Sequence, residues 1–207
     1  MLNNWKSKSP CGCLSVIPIY DYEGVICAYL RPLTVDYEIL NPNIVRKITS
    51  WRNANKDSFF TSFHATDTGT KAWLNSILQD DSKMLFIIQD LHNRELGHMG
   101  YSNINREKKS GEIDAVIRGE QSGTPFIMTH SLKGLLKWGR SVLRLNDISL
   151  SVFKHNKRAI KLYERCGFKY ANEIPLRKVE QDGVIYYEEA ADIVMSEFYK
   201  LVMVFEK

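Results

Sequence analysis

Cysteine is scarce, with four residues in a chain of 207. Cys11-Gly-Cys13 lacks the spacing of a zinc pair and has no Cys/His cluster to join it, so no metal site is expected. Unconnected, reduced thiols are the expectation for all four cysteines. No apolar run approaches the roughly 18 to 20 residues that would span a bilayer. The opening segment MLNNWKSKSPCGCLSVIPIY also lacks the apolar core of a signal peptide, so a cytoplasmic protein without a membrane partner is expected. Neither sign of charge dominates: 28 Lys+Arg against 24 Asp+Glu leave a net +4. That excess suits an anionic small ligand but is too weak to argue for nucleic acid. Internal repeats and low-complexity tracts are missing.

What remains is an ordinary globular composition, 44% hydrophobic and 25% charged. The length allows one domain with a proper core. Residues 1–13 are polar and irregular and read as a flexible N-terminal extension, leaving 14–207 as a single domain. CLSVIPIY and GVICAYLRPLT read as strands joined by the turn DYEG. NPNIVRKITSWRN and TKAWLNSILQD read as helices, with Ile44, Ile48 and Trp51 on one inward face and Trp73, Ile77 and Leu78 on the other. KMLFIIQDL, ELGHMGYSNIN and GEIDAVIRG form a meander of three strands. A long amphipathic helix follows, with Thr124 as its N-cap and Pro125 at its first position. Strand DISLSVF, helix NKRAIKLYERC stopped by Gly167, and closing strands complete the chain, with room for a short helix before LVMVFEK. Helices alternating with hairpin-linked and crossover strands define a mixed α/β (α+β) class around one central sheet.

Two stretches carry chemistry. GEIDAVI runs into the turn RGEQSGTPF and then into the long helix. A strand, a glycine-bearing turn and a helix N-terminus make an anion site, because free N–H groups point outward there and the helix dipole adds positive potential. An ordinary structural turn is an equal reading. The second stretch, SVFKHNKRAIKLYERCGF, sets Asn156, Ala159 and Tyr163 on a helix just beyond a strand end. By itself Tyr163 reads as a core tyrosine.

Together the two stretches resemble the GNAT superfamily of acetyl-CoA-dependent N-acetyltransferases over roughly Tyr29 to Phe168. The pattern Asn-x-x-Ala-x-x-x-Tyr-x-x-x-Gly-Phe is met in full by Asn156, Ala159, Tyr163, Gly167 and Phe168. The family's pyrophosphate turn is matched by Arg118, Gln121 and Gly123, with Gln121 standing where the first motif glycine is expected. The resemblance implies a twisted, mostly antiparallel central sheet flanked by helices, with two strands splayed around the cofactor. It implies acetyl-CoA as co-substrate and no metal. Val116, Ile117, Arg118, Gly119, Gln121, Ser122, Gly123, Thr124, Asn156 and Ala159 would hold the cofactor, and Tyr163 would protonate the departing thiolate. Glu112 is the first candidate for the base and Asp114 the second, both on one face of their strand. His98 is a third, with a structural histidine as the equal alternative.

The N-terminal half resembles the branch holding ribosomal-protein and nucleotide-aminosugar acetyltransferases. Trp51-Arg52-Asn53 looks most like enzymes that acetylate the 4-amino group of UDP-linked sugars. On that reading Arg52 forks onto a phosphate, Asn53 bonds hydroxyls, and Trp51, Phe59 or Phe60 stacks on a ring, with His98 close by. Trp51 as a packing residue has equal weight. A nucleotide-sugar amine is thus the expected partner. An N-terminal peptide acetyltransferase is the alternative, and a non-catalytic coenzyme A-binding regulatory module is the alternative of another class. A homodimer through sheet edges is compatible with such a fold.

Overall fold

The computed structural model describes residues 2–7, 15–190, 192 and 195–206. Its elements, in order, are α1 (Leu2–Lys6), β1 (Ile17–Tyr20), β2 (Ile26–Pro32), α2 (Tyr37–Leu40), α3 (Ile44–Ala54), β3 (Thr61–Ser62), α4 (Asp67–Gln79), β4 (Met84–Asp90), β5 (Glu95–Asn105), β6 (Ser110–Arg118), α5 (Ile127–Ser141), β7 (Asp147–Phe153), α6 (Lys157–Arg165), β8 (Phe168–Gln181), β9 (Val184–Glu189) and β10 (Phe198–Phe205). The ten strands among the described residues join one sheet in the order β1-β2-β4-β5-β6-β7-β10-β8-β9-β3. Every pairing is antiparallel except β6 with β7, which α5 connects as a crossover.

Alternation along β4 shows why the sheet is covered on both faces. Met84, Phe86 and Ile88 enter a core shared with α5 and α6 (Leu132, Leu135, Leu136, Leu162). Leu85 and Ile87 point the other way, into a core built with α3 and α4 (Ile44, Ile48, Trp51, Leu74, Ile77). A strand buried on both sides reads as a continuous apolar run, as MLFIIQD does.

Three expectations need correction. The N-terminal segment is not a loose extension over Leu2–Lys6. Leu2 is fully buried, and Trp5 meets the rings of Trp138 at 5.2 Å and Phe86 at 6.2 Å. Buried Lys6 donates from Nζ to the carbonyls of Ile77 (2.7 Å) and Asp80 (2.6 Å), satisfying acceptors at the end of α4. Residues 8–14, with Cys11 and Cys13, lie outside the described residues. Thr124 is not the N-cap of the long helix. Pro125 and Phe126 form a turn, Phe126 adopts a left-handed φ of 56°, and its carbonyl accepts from Thr129 and His130 as α5 begins at Ile127. Ahead of LVMVFEK the chain forms β10, with no helix among the described residues of 190–197. Gly167, at φ 96°, ends α6 as expected. No helix among the described residues is long and apolar enough to cross a membrane.

Candidate active site

β6 and β7 pair only through Ser110–Asp147, Gly111–Ile148 and Glu112–Ser149. Beyond Glu112, β6 stays with β5 while β7 stays with β10, so the sheet opens as a V. A cavity of about 1050 Å³ occupies the opening, at the upper end of the range for small-molecule sites.

A β-bulge shapes one wall. Gly100 faces Asp114 and His98 faces Ile117, so Ala115 and Val116 together oppose the single residue Met99. Ala115 takes a left-handed φ of 52°, and its N–H is bonded at 2.6 Å by the Asp114 carboxylate. Buried His98 bonds the Ala115 carbonyl through Nδ1 at 2.6 Å. Burial holds the imidazole pKa down at about 4, assisted by the charge of Arg52 and opposed by the bond to Ala115.

From the other wall, Asn156 caps α6, its Oδ1 accepting from the Ala159 N–H at 3.1 Å. Two turns on, Tyr163 lies against Phe168 at 6.0 Å with its side chain in the cavity wall. Among the described residues its hydroxyl has no hydrogen-bond partner. Burial raises its pKa above the ordinary phenol value, and the negative charge of Asp114 acts in the same direction. The phenol therefore stays protonated at any physiological pH.

Of the residues expected to hold a cofactor, Val116, Ile117, Arg118, Ser122, Gly123, Thr124, Asn156 and Ala159 line the cavity. Gly119 and Gln121 are not in that lining. Gly119 instead makes room for Trp51: a Cβ there would sit 2.1 Å from the indole. Trp51 in turn donates from Nε1 to Glu120 at 3.1 Å, so it anchors the loop from behind. Among the residues expected to bind the acceptor, Arg52 and His98 line the cavity, while Trp51 and Asn53 do not. Asn53 is tied to the backbone of Ala65 by two hydrogen bonds, of 2.7 and 3.0 Å. Glu112 and Asp114 both reach the wall, Glu112 accepting from Asn103 at 3.2 Å.

Sequence reasoning missed Phe63, Trp73, Ser102, Arg158, Arg165 and Lys200, all in the wall. Arg158 and Arg165 are seven apart, two helical turns, so one basic face of α6 was a usable signal. Arg165 lies over the Phe126 ring at 5.8 Å, beside the turn that starts α5. The guanidinium of Arg52 is held over Trp73 at 4.3 Å and near Phe63 at 5.3 Å, with no ion pair among the described residues. The pairing of β3 with β9 ties the segment holding Phe59, Phe60 and Phe63 to the C-terminal hairpin. Phe60 packs on Phe153 at 4.5 Å, and Tyr187 packs on the same ring at 4.9 Å.

A family model described as an acetyltransferase (GNAT) domain matches residues 29–169. The chain is 30% identical over 94 residues to the spermidine N(1)-acetyltransferase of Vibrio cholerae, covering 45% of this chain and 54% of that protein. It is 26% identical over 136 residues to the acetyltransferase PseH of Campylobacter jejuni, covering 65% and 82%. The chain thus spans about half the length of the spermidine acetyltransferase that it matches. In fold it is similar to the crystal structure of spermidine N-acetyltransferase from Vibrio cholerae in complex with CoA and spermine, with a TM-score of 0.65 at 20% identity over 85% of this chain and 93% of that one.

Proposed function

Because the chain belongs to the acetyltransferase (GNAT) domain family, we propose that it transfers an acetyl group from acetyl-CoA to a primary amine. The observation that carries this reading is the opening between β6 and β7, with the Tyr163 side chain in its wall. The residues present suit the co-substrate. Ser122 to Met128 bring a loop and the start of α5 to the cavity, where unbonded first-turn amides and the basic Arg118, Arg158 and Arg165 favour phosphate groups. Beyond Glu112 the β6 edge is no longer paired with β7 and offers an extended arm a strand to join.

The reaction needs a neutral amine, whereas a free alkylammonium is mostly protonated at neutral pH. Asp114 and Glu112, on the bulged strand, pass the ammonium proton to water. The amine nitrogen then attacks the thioester carbon, the C–S bond breaks, and the amide nitrogen gives up its second proton. Sulfur leaves as a thiolate and takes one proton, so of the two protons that leave nitrogen one is released to water. Tyr163 is a weaker acid than a thiol. It therefore serves the leaving sulfur chiefly as a hydrogen-bond donor in the transition state, and any proton it gives is restored from the amide nitrogen or water.

For the acceptor, the reading is an amine attached to an anionic group, of which a UDP-linked 4-amino sugar is the case. Arg52 supports it: an arginine without an ion pair among the described residues, held over aromatic rings in the wall, suits a phosphate and repels a polycation. A polyamine is the second reading, favoured by the spermidine acetyltransferase relative and by the carboxylates Glu112 and Asp114. The test is thiol release from acetyl-CoA with a UDP-4-amino sugar, spermidine and an N-terminal peptide offered separately. The nucleotide sugar should be turned over with the highest kcat/KM. Preference for spermidine or the peptide would replace the acceptor assignment. Tight acetyl-CoA binding with no turnover of any amine would leave a binding module instead.

A further inference from the structure

His98 presents two faces to this site, and only one has a partner. A carbonyl oxygen only accepts, so the 2.6 Å contact with Ala115 puts the ring proton on Nδ1. The ring is 1% exposed and lies between Trp51 and Trp73, at centroid distances of 6.3 and 5.8 Å. In that apolar setting it remains neutral at physiological pH, which makes Nε2 a bare lone pair. Nε2 is buried and, among the described residues, has no hydrogen-bond partner, yet the residue lines the cavity. A buried acceptor left empty carries a desolvation cost that a donor from a bound molecule would recover.

The partnered side is equally specific. Ala115 is the left-handed residue of the β6 bulge, whose extra residue falls outside the β5 ladder. The imidazole supplies the hydrogen bond that the ladder does not. The next backbone unit, at Val116, belongs to the wall where β6 has parted from β7.

We propose that His98 joins the two halves of the transfer centre, Nδ1–H fixing the bulge backbone beside the thioester while Nε2 accepts a hydrogen bond from the N–H of the acceptor amine. This rests on the acetyl-transfer reading. His98 orients the amine and leaves its proton to the carboxylates and water, because so weakly basic a ring does not deprotonate an ammonium group. Its role is therefore distinct from that of a general base.

Two substitutions separate the arms. In His98→Asn the amide nitrogen falls where Nδ1 was, keeping the bond to Ala115 and removing the acceptor at Nε2. In His98→Gln the amide reaches the Nε2 position and gives up the bulge bond. With the amine that the wild type acetylates fastest among the three named above, His98→Asn should raise the amine KM about three- to ten-fold, the range for one hydrogen bond, with kcat and acetyl-CoA KM little changed. His98→Gln should lower kcat and keep the amine KM. An unchanged amine KM in the first variant overturns the acceptor arm, and an unchanged kcat in the second overturns the clamp. Nitrogen NMR of histidine-labelled wild type decides the matter even if the variants fold poorly. Nδ1 should be the protonated nitrogen. Adding a thioether analogue of acetyl-CoA and then the amine should shift Nε2 alone. An Nε2-protonated ring overturns the clamp, and an Nε2 signal unmoved by a saturating amine overturns the acceptor arm. If no amine is acetylated by the wild type, the acetyl-transfer reading fails, and the tautomer of the free protein still tests the clamp.

Discussion

Replacing Tyr163 by Phe isolates the leaving-group step. The side chain is 7% exposed and rests on Phe168, a contact that a phenylalanine ring preserves. Its hydroxyl has no hydrogen-bond partner among the described residues, so removing it breaks no bond within the protein. Stability should therefore change by less than about 0.5 kcal/mol, and acetyl-CoA affinity should hold. General acid catalysis is worth about 10²- to 10⁴-fold. Because a phenol is a weaker acid than a thiol and burial weakens this one further, proton transfer to sulfur is uphill, and the loss should lie near the lower end. A fall of about 100-fold in kcat corresponds to about 2.7 kcal/mol of transition-state stabilisation. The assay is thiol release at saturating acetyl-CoA and amine, with coenzyme A affinity and melting temperature measured on the same sample. A Tyr163→Phe enzyme within about three-fold of wild type in kcat would remove Tyr163 from the chemistry. A matching loss of cofactor affinity would make it a binding residue instead.

The imidazole of His98 should also leave a mark on acid stability. With its pKa held at about 4 in the fold and near 6.5 in the unfolded chain, only the unfolded state gains a proton between those values. Its contribution is therefore intact above pH 6.5 and is lost as pH falls towards 4, by about 3 kcal/mol in all. Denaturant unfolding of wild type and His98→Asn across that window should show a shallower slope in the variant, and parallel slopes would contradict the buried neutral ring. Trp5→Ala should cost about 2 kcal/mol by emptying the contact with Trp138 and Phe86, lowering Tm by roughly 4–8 °C. A Tm equal to that of wild type would return α1 to the status of a loose extension.

Short-range relations account for what was legible in the amino-acid order. The stop at Gly167 and the spacing that aligns Asn156, Ala159 and Tyr163 depend on helical periodicity and end chemistry within a dozen residues. The strands β4 to β6 were readable for the same reason, each being a short apolar or alternating run between polar turns. Local signals also misled. Thr124-Pro125 has the composition of a helix start, but the left-handed turn at Phe126 moves that start to Ile127. A five-residue α1 is too short to show a period, and its place in the core is visible only through Trp138, Phe86 and the end of α4.

The acceptor end belongs to the tertiary structure. Trp51, Arg52 and Asn53 are adjacent in sequence, yet the helix turns one into the core under Gly119, one into the cavity and one onto Ala65. Arg52 gains its aromatic setting from Phe63 and Trp73, and the segment holding Phe63 is tied down by β3 meeting β9 across more than a hundred residues. The amino-acid order by itself determined the family and the cofactor-side helix, because those depend on contacts between near neighbours. Which side chains face the amine was decided only when distant strands closed the sheet, because long-range pairing sets which face of each element is buried and which is left to the cavity.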